Sequence, residues 1–192
     1  KIVSVGPANK EKNPDGARVV DATGKVIIPG LVDSHSHLGV ASRPREKANS
    51  DGNERSGAVQ SIVRALDSIN PFDPGIRMAH TGGITTANVM PGSGNVIGGQ
   101  TIYIKLRGNS PEQMWIGTDG HFGGLKMANG ENPKRSYGSR GQAPVTRMKV
   151  AALQRAEFVK AVDYRRKWQE FEKKREKDKE AMPPDRDLSL EP

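Results

Sequence analysis

The segment Pro29-Gly30-Leu31-Val32-Asp33-Ser34-His35-Ser36-His37 constrains the fold more than any other stretch of the chain. Pro29-Gly30 interrupts the apolar run Val26-Ile27-Ile28, because proline cannot donate to a ladder and glycine weakens a strand interior, so Leu31-Val32 opens a new strand. Along a strand, side chains two residues apart project to the same face, and the spacing therefore predicts that His35 and His37 present two imidazoles side by side. Two neutral imidazoles so placed can share one metal ion, and zinc, iron, manganese or nickel would each accept them. The same pair taken alone also suits an ordinary surface strand.

The rest of the chain divides by composition. Residues 2–5, 18–20 and 26–28 read as short strands, with Asp21-Ala22-Thr23-Gly24 as a turn, which predicts part of a small β domain over residues 1–30. From residue 31 to about 145, short apolar strands alternate with glycine-rich loops, and 15 of the 22 glycines fall between Gly75 and Gly141, the make-up of a loop-rich active-site face. Within it, Gly92-Ser93-Gly94-Asn95-Val96-Ile97-Gly98 leads into the strand-like Thr101-Ile102-Tyr103-Ile104. A dinucleotide fingerprint needs a helix at that point, so the glycines predict a tight loop instead. From Thr146, a plausible N-cap, the pattern turns helical as far as the stop Pro183-Pro184, predicting a helix over about 147–181. Leu153, Phe158 and Val162 suit a core, with Ala161, Tyr164, Trp168 and Phe171 on a neighbouring stripe. A continuous helix of that extent would be roughly 50 Å long, and its second half, with no apolar residue over 172–180, is expected to project or fray.

The segment from Asp21-Ala22-Thr23-Gly24-Lys25 through Pro29-Gly30-Leu31-Val32-Asp33 to His35 and His37 resembles the amidohydrolase superfamily. Its members enter their barrel through Pro-Gly-Leu-x-Asp-x-His-x-His after a small β-sandwich segment ending in Asp-x-x-Gly-Lys. Ala79-His80-Thr81-Gly82-Gly83-Ile84-Thr85-Thr86 looks like the following helix end and second strand. The segments 91–100 and 130–135 are similar to those of imidazolonepropionase and related cyclic-amide or peptide hydrolases. The resemblance implies an α/β fold, the N-terminal half of a (β/α)₈ TIM barrel over 31–192 preceded by part of a β-sandwich over 1–30. It implies His35 and His37 as first-strand ligands of one or two divalent ions, zinc foremost. Some members bridge two metals with a carboxylated lysine on the fourth strand. If residues 102–106 form the third strand, Leu125-Lys126-Met127-Ala128 is the fourth and Lys126 the bridging candidate, ahead of Lys105 and Glu131. Histidines on the fifth and sixth strands and a general-base aspartate on the eighth complete the family's site, and none can be placed here. His80 reads as a helix-end residue and His121 as a loop residue. Since an eight-stranded barrel takes about 250 residues and 162 follow Gly30, the expectation is an N-terminal piece, inactive alone. The implied reaction is metal-dependent hydrolysis of C–N bonds in a small amide, cyclic amide or dipeptide-like substrate, not of ordinary protein peptide bonds.

Composition narrows the alternatives. No run approaches the eighteen or so apolar residues of a spanning helix, and 27% of residues are charged, so a soluble protein of cytoplasm or periplasm without membrane contact is expected. Lys1 leads directly into a strand-like run, as in a chain that starts inside a longer protein whose signal peptide, if any, is already gone. The absence of cysteine excludes disulfides, thiolate metal sites and a cysteine nucleophile. Of the net charge of +8, five units lie between Arg147 and Met182, where Glu170, Glu172, Glu176, Asp178 and Glu180 interleave with Arg165, Arg166, Lys167, Lys173, Lys174 and Arg175. That is the pattern of a solvated helix with i,i+4 pairs. It argues against a nucleic-acid-binding module, which stays, with a non-catalytic relic of the hydrolase fold, as an alternative reading.

Overall fold

The computed structural model describes residues 2–7, 13–117 and 123–191. Strand β1 (Leu31–Ser36) starts where the sequence breaks, and β2 (Ile84–Val89) lies parallel to it, joined through a long loop and helix α1 (Pro74–Thr81). Gly30 is required at the start of β1, since a Cβ there would lie 2.2 Å from the Thr85 hydroxyl of the neighbouring strand. Asp73 caps α1, Pro74 occupies its first turn, and Gly82-Gly83 ends it, with the Gly82 amide donating to the Met78 carbonyl at 3.1 Å. His80 sits in its last turn.

The third member of this sheet, β4 (Ile102–Lys105), runs antiparallel to β2, not parallel as a third barrel strand would. A parallel crossover needs a dozen or more residues, usually a helix. The stretch between β2 and β4 holds no helix and is taken up by a loop and β3 (Ile97–Gln100). β3 pairs antiparallel with β5 (Leu125–Met127) in a separate two-stranded sheet. β4 alternates cleanly, with Ile102 and Ile104 fully buried and Tyr103 and Lys105 exposed. The buried side of β2 and β4 packs Ala87, Val89, Ile102 and Ile104 against Ile76 of α1 and Met114 of the short helix α2 (Pro111–Met114).

Two further helices follow, α3 (Glu131–Gly138) and α4 (Arg147–Lys177). The Thr146 hydroxyl accepts from the Lys149 amide at 3.2 Å and opens α4, as its sequence predicts. α4 is unbroken for 31 residues, about 47 Å, and ends four residues earlier than expected. Its N-terminal part is the anchored one: Val150 is buried with Val96 and Ile97, and Leu153 packs beside them. Phe158 and Val162, expected to face a core, are 56% and 55% exposed, because α4 has by then passed the small cluster that covers its first turns. Tyr164, Trp168 and Phe171 stack edge to face instead, with ring centroids 6.1 and 5.8 Å apart.

The runs 2–5, 18–20 and 26–28 form no strand among the described residues, and Val3, Val19 and Ile27 stand exposed. Alternation licenses a strand only where a partner completes the ladder, and these runs find none. The turn between them does form: the Asp21 carboxylate accepts from the Thr23 amide at 2.9 Å and the Thr23 hydroxyl at 2.7 Å. Among the described residues no helix is long and apolar enough to cross a membrane.

Candidate metal centre

His35 and His37 leave the C-terminal end of β1 with ring centroids 5.4 Å apart and planes at 88°. His37 Nδ1 lies 2.8 Å from the Met90 carbonyl oxygen, which only accepts, so Nδ1 donates and, in the neutral ring, Nε2 keeps its lone pair. The Met90 carbonyl is itself set by the backbone, as the Met90 amide donates to the Ser36 carbonyl at 3.0 Å. Lys126, on β5, reaches the same place from the second sheet: its Nζ lies 3.1 Å from His35 Nε2 and 3.3 Å from the Met90 sulfur. Lys126 is 9% exposed, and burial holds its pKa below the usual lysine range. The Lys126 charge, followed by partial burial and by His37, pushes the His35 imidazole below its ordinary value.

The three residues singled out by the sequence therefore meet, 91 positions apart in the case of His35 and Lys126. The competitors lie elsewhere. Lys105 donates to the Thr86 hydroxyl at 2.8 Å on the exposed side of the sheet, Glu131 sits in the first turn of α3, and His80 belongs to α1. His121 lies outside the described residues. Among the described residues no group of three or more His, Asp or Glu side chains gathers at one point. The donor set is two imidazoles and one buried amine.

A crystal structure of an amidohydrolase from Thermotoga maritima matches this fold with a TM-score of 0.83 and 40% identity, over 97% of this chain and 46% of that one. The amidohydrolase tasK of Hapsidospora irregularis is 40% identical over 143 residues, covering 70% of this chain and 15% of that protein. The chain belongs to the amidohydrolase superfamily. An imidazolonepropionase from Symbiobacterium thermophilum is also 40% identical, over 78 residues that make up 34% of this chain and 18% of the relative. This superfamily member thus spans less than half the length of each of these relatives. No family model matches it.

In this superfamily member the residues that hold the site in place carry weaker sequence signals than those that form it. Asp73 is 2% exposed, and besides capping α1 it ties down the loop that follows His37. One oxygen accepts from the Gly39 amide at 2.8 Å, the other from the Arg43 and Gly75 amides at 3.2 and 2.9 Å. The signal for the cap was present in Asp73-Pro74-Gly75, whereas the reach back to Gly39 has none. Asn95 is 1% exposed; its side-chain amide donates to the Glu54 carbonyl and, at 3.2 Å, to the Gly57 carbonyl. It fastens the glycine-rich loop to residues 54–57.

Proposed function

We propose that this chain is the N-terminal part of a (β/α)₈ barrel hydrolase that acts on C–N bonds of a small amide, cyclic amide or dipeptide-like substrate at a divalent metal site. One observation carries the reading: the paired imidazoles at the end of β1 converge with a buried lysine of lowered pKa. The names of the relatives, amidohydrolase and imidazolonepropionase, support the C–N bond as the target. The donor set fits a divalent cation, zinc foremost, in one specific respect. The Met90 carbonyl fixes the tautomer of His37 that leaves Nε2 able to bind a metal, as ligating histidines require.

His35 and His37 would hold the ion. Lys126 can join them only after losing its proton, and its burial favours that neutral form. Its neutral amine would attack carbon dioxide, forming an N–C bond and releasing one proton, and the resulting carbamate would add an oxygen donor beside the two imidazoles. A bound divalent cation polarises a substrate carbonyl and activates water for attack. The general base would come from residues beyond those described. Zinc retained after equilibrium dialysis, read by elemental analysis, tests the assignment: the protein should hold zinc, and His35→Ala and His37→Ala should lose it. A ¹³C carbamate resonance after exposure to labelled bicarbonate should be absent from Lys126→Met. Equal zinc in the protein and both histidine variants would refute the site.

A further inference from the structure

Asn129-Gly130 is the one place in the sequence where glycine follows asparagine, and the fold puts it at an exposed join between β5, which ends at Met127, and α3, which begins at Glu131. The join is held on either side. The Ala128 amide donates to the Val96 carbonyl at 3.1 Å, and the Asn132 side-chain amide donates to the Ser93 hydroxyl at 2.6 Å. Between these ties the Gly130 amide meets no acceptor among the described residues. A Cβ built on Gly130 would find nothing within 4 Å, so the approach to this nitrogen is open.

The Asn129 carboxamide is held at one end only. Its Oδ1 accepts from Gln154 Nε2 of α4 at 2.6 Å, whereas its Nδ2 has no partner among the described residues. A donor on the carbonyl oxygen polarises the carboxamide carbon and stabilises the oxyanion that forms when a nucleophile adds to it. The Gly130 nitrogen is a nucleophile tethered covalently to that carbon, so the reaction needs no binding event. Asn49-Ser50 lacks these features, since Ser50 carries a side chain and its amide donates to the Lys47 carbonyl at 3.2 Å.

We propose that Asn129 is a site of self-modification, at which the Gly130 nitrogen displaces the side-chain nitrogen of Asn129 and Gln154 stabilises the oxyanion. The Gly130 nitrogen gives up its proton and bonds to Asn129 Cγ. The Cγ–Nδ2 bond then breaks, and Nδ2 takes up a proton and leaves as ammonia. Water adds to one of the two carbonyls of the five-membered imide and opens it to aspartate or to isoaspartate. Either product replaces a neutral amide with a carboxylate, and isoaspartate also lengthens the main chain by one carbon between the strand that carries Lys126 and α3. The proposal is independent of the hydrolase reading.

The test incubates the full chain at mildly alkaline pH, native and in urea, and follows each asparagine by peptide mass spectrometry, with isoaspartyl methyltransferase labelling of the peptide that contains residue 129. In the native chain Asn129 should convert within threefold of its rate in urea and at least tenfold faster than Asn49. Gln154→Met should slow the native conversion more than threefold and leave the rate in urea unchanged. Gly130→Ala should slow both, and the fold has room for it, with an open site for the Cβ and a φ of −105°. Native protection of more than threefold, conversion of Asn49 at a comparable rate, or a native Gln154→Met rate within threefold of the parent or above it would each overturn the proposal. The comparison of native with unfolded chain needs no variant and stands even where a substitution disturbs folding.

Discussion

Replacing Asp73 with alanine is the most informative single perturbation of the fold around the site. Asp73 is 2% exposed, and its carboxylate accepts from three backbone amides, those of Gly39, Arg43 and Gly75. The Gly75 bond is the helix cap, whose loss costs about 1 kcal/mol. The Gly39 amide is the buried one, and an orphaned buried donor costs about 1–3 kcal/mol. The Arg43 amide is only partly buried and water can replace its partner, so it adds little. The sum is about 3 kcal/mol, a large share of the total for a domain of this size. Asp73→Asn should fall about midway: its one oxygen can serve Arg43 and Gly75, but its amide group then faces the Gly39 N–H donor to donor. Urea unfolding followed by circular dichroism reads both, with an unchanged slope confirming that stability and not compactness has moved. Because the loop fixed by Asp73 begins two residues after His37, zinc affinity should drop in Asp73→Ala as well. A midpoint shift worth less than about 0.5 kcal/mol would refute the argument that Asp73 holds this loop.

Three other outcomes follow from particular contacts. Gly99 has φ +119° and a Cβ there would lie 2.3 Å from the Val63 carbonyl oxygen, so Gly99→Ala should destabilise by at least about 2 kcal/mol in the same urea assay. Folded Lys126 binds its proton less tightly than an unfolded lysine, so stability should rise with pH between its lowered pKa and about 10.4. Lys126→Met should remove that rise, as a comparison of the two unfolding midpoints against pH would reveal. Val150→Ala should cost about 2 kcal/mol, since its side chain is 1% exposed, whereas Phe158→Ala, at 56% exposure, should stay within about 0.5 kcal/mol.

The elements that the sequence announces are those whose signals are local. Pro29-Gly30 marks the start of β1, and Thr146 marks the first turn of α4. The direction of β4 is not written in its own residues, because Ile102-Tyr103-Ile104-Lys105 alternates equally well in either orientation. The connection decides it, by holding no crossover helix. The two stripes of α4 pose a similar problem. Both have helical spacing, and only the position of Val96 and Ile97 in space determines that Val150 and Leu153 are covered while Phe158 is not.

The candidate site shows the same division between what is local and what is not. His35 and His37 share a face because strand geometry demands it, and that needs no knowledge of the rest of the chain. Strand counting puts Lys126 on a fourth barrel strand, and it arrives beside His35 by another route. β5 is not laid beside β4 but pairs with β3, where Lys126 stands opposite Gly99. The glycines of β3 then acquire a meaning that the sequence pattern alone did not carry. A Cβ on Gly98 would lie 3.4 Å from Lys126 Cγ and 3.2 Å from the Gly92 carbonyl oxygen, so any larger side chain at Gly98 would press on the lysine stem. The glycine-rich segment, expected to form a tight loop, also leaves the lateral space in which the lysine extends to 3.1 Å from His35. The amine is thus held by the absence of side chains on one strand and received by an imidazole on another, so its position depends on long-range register.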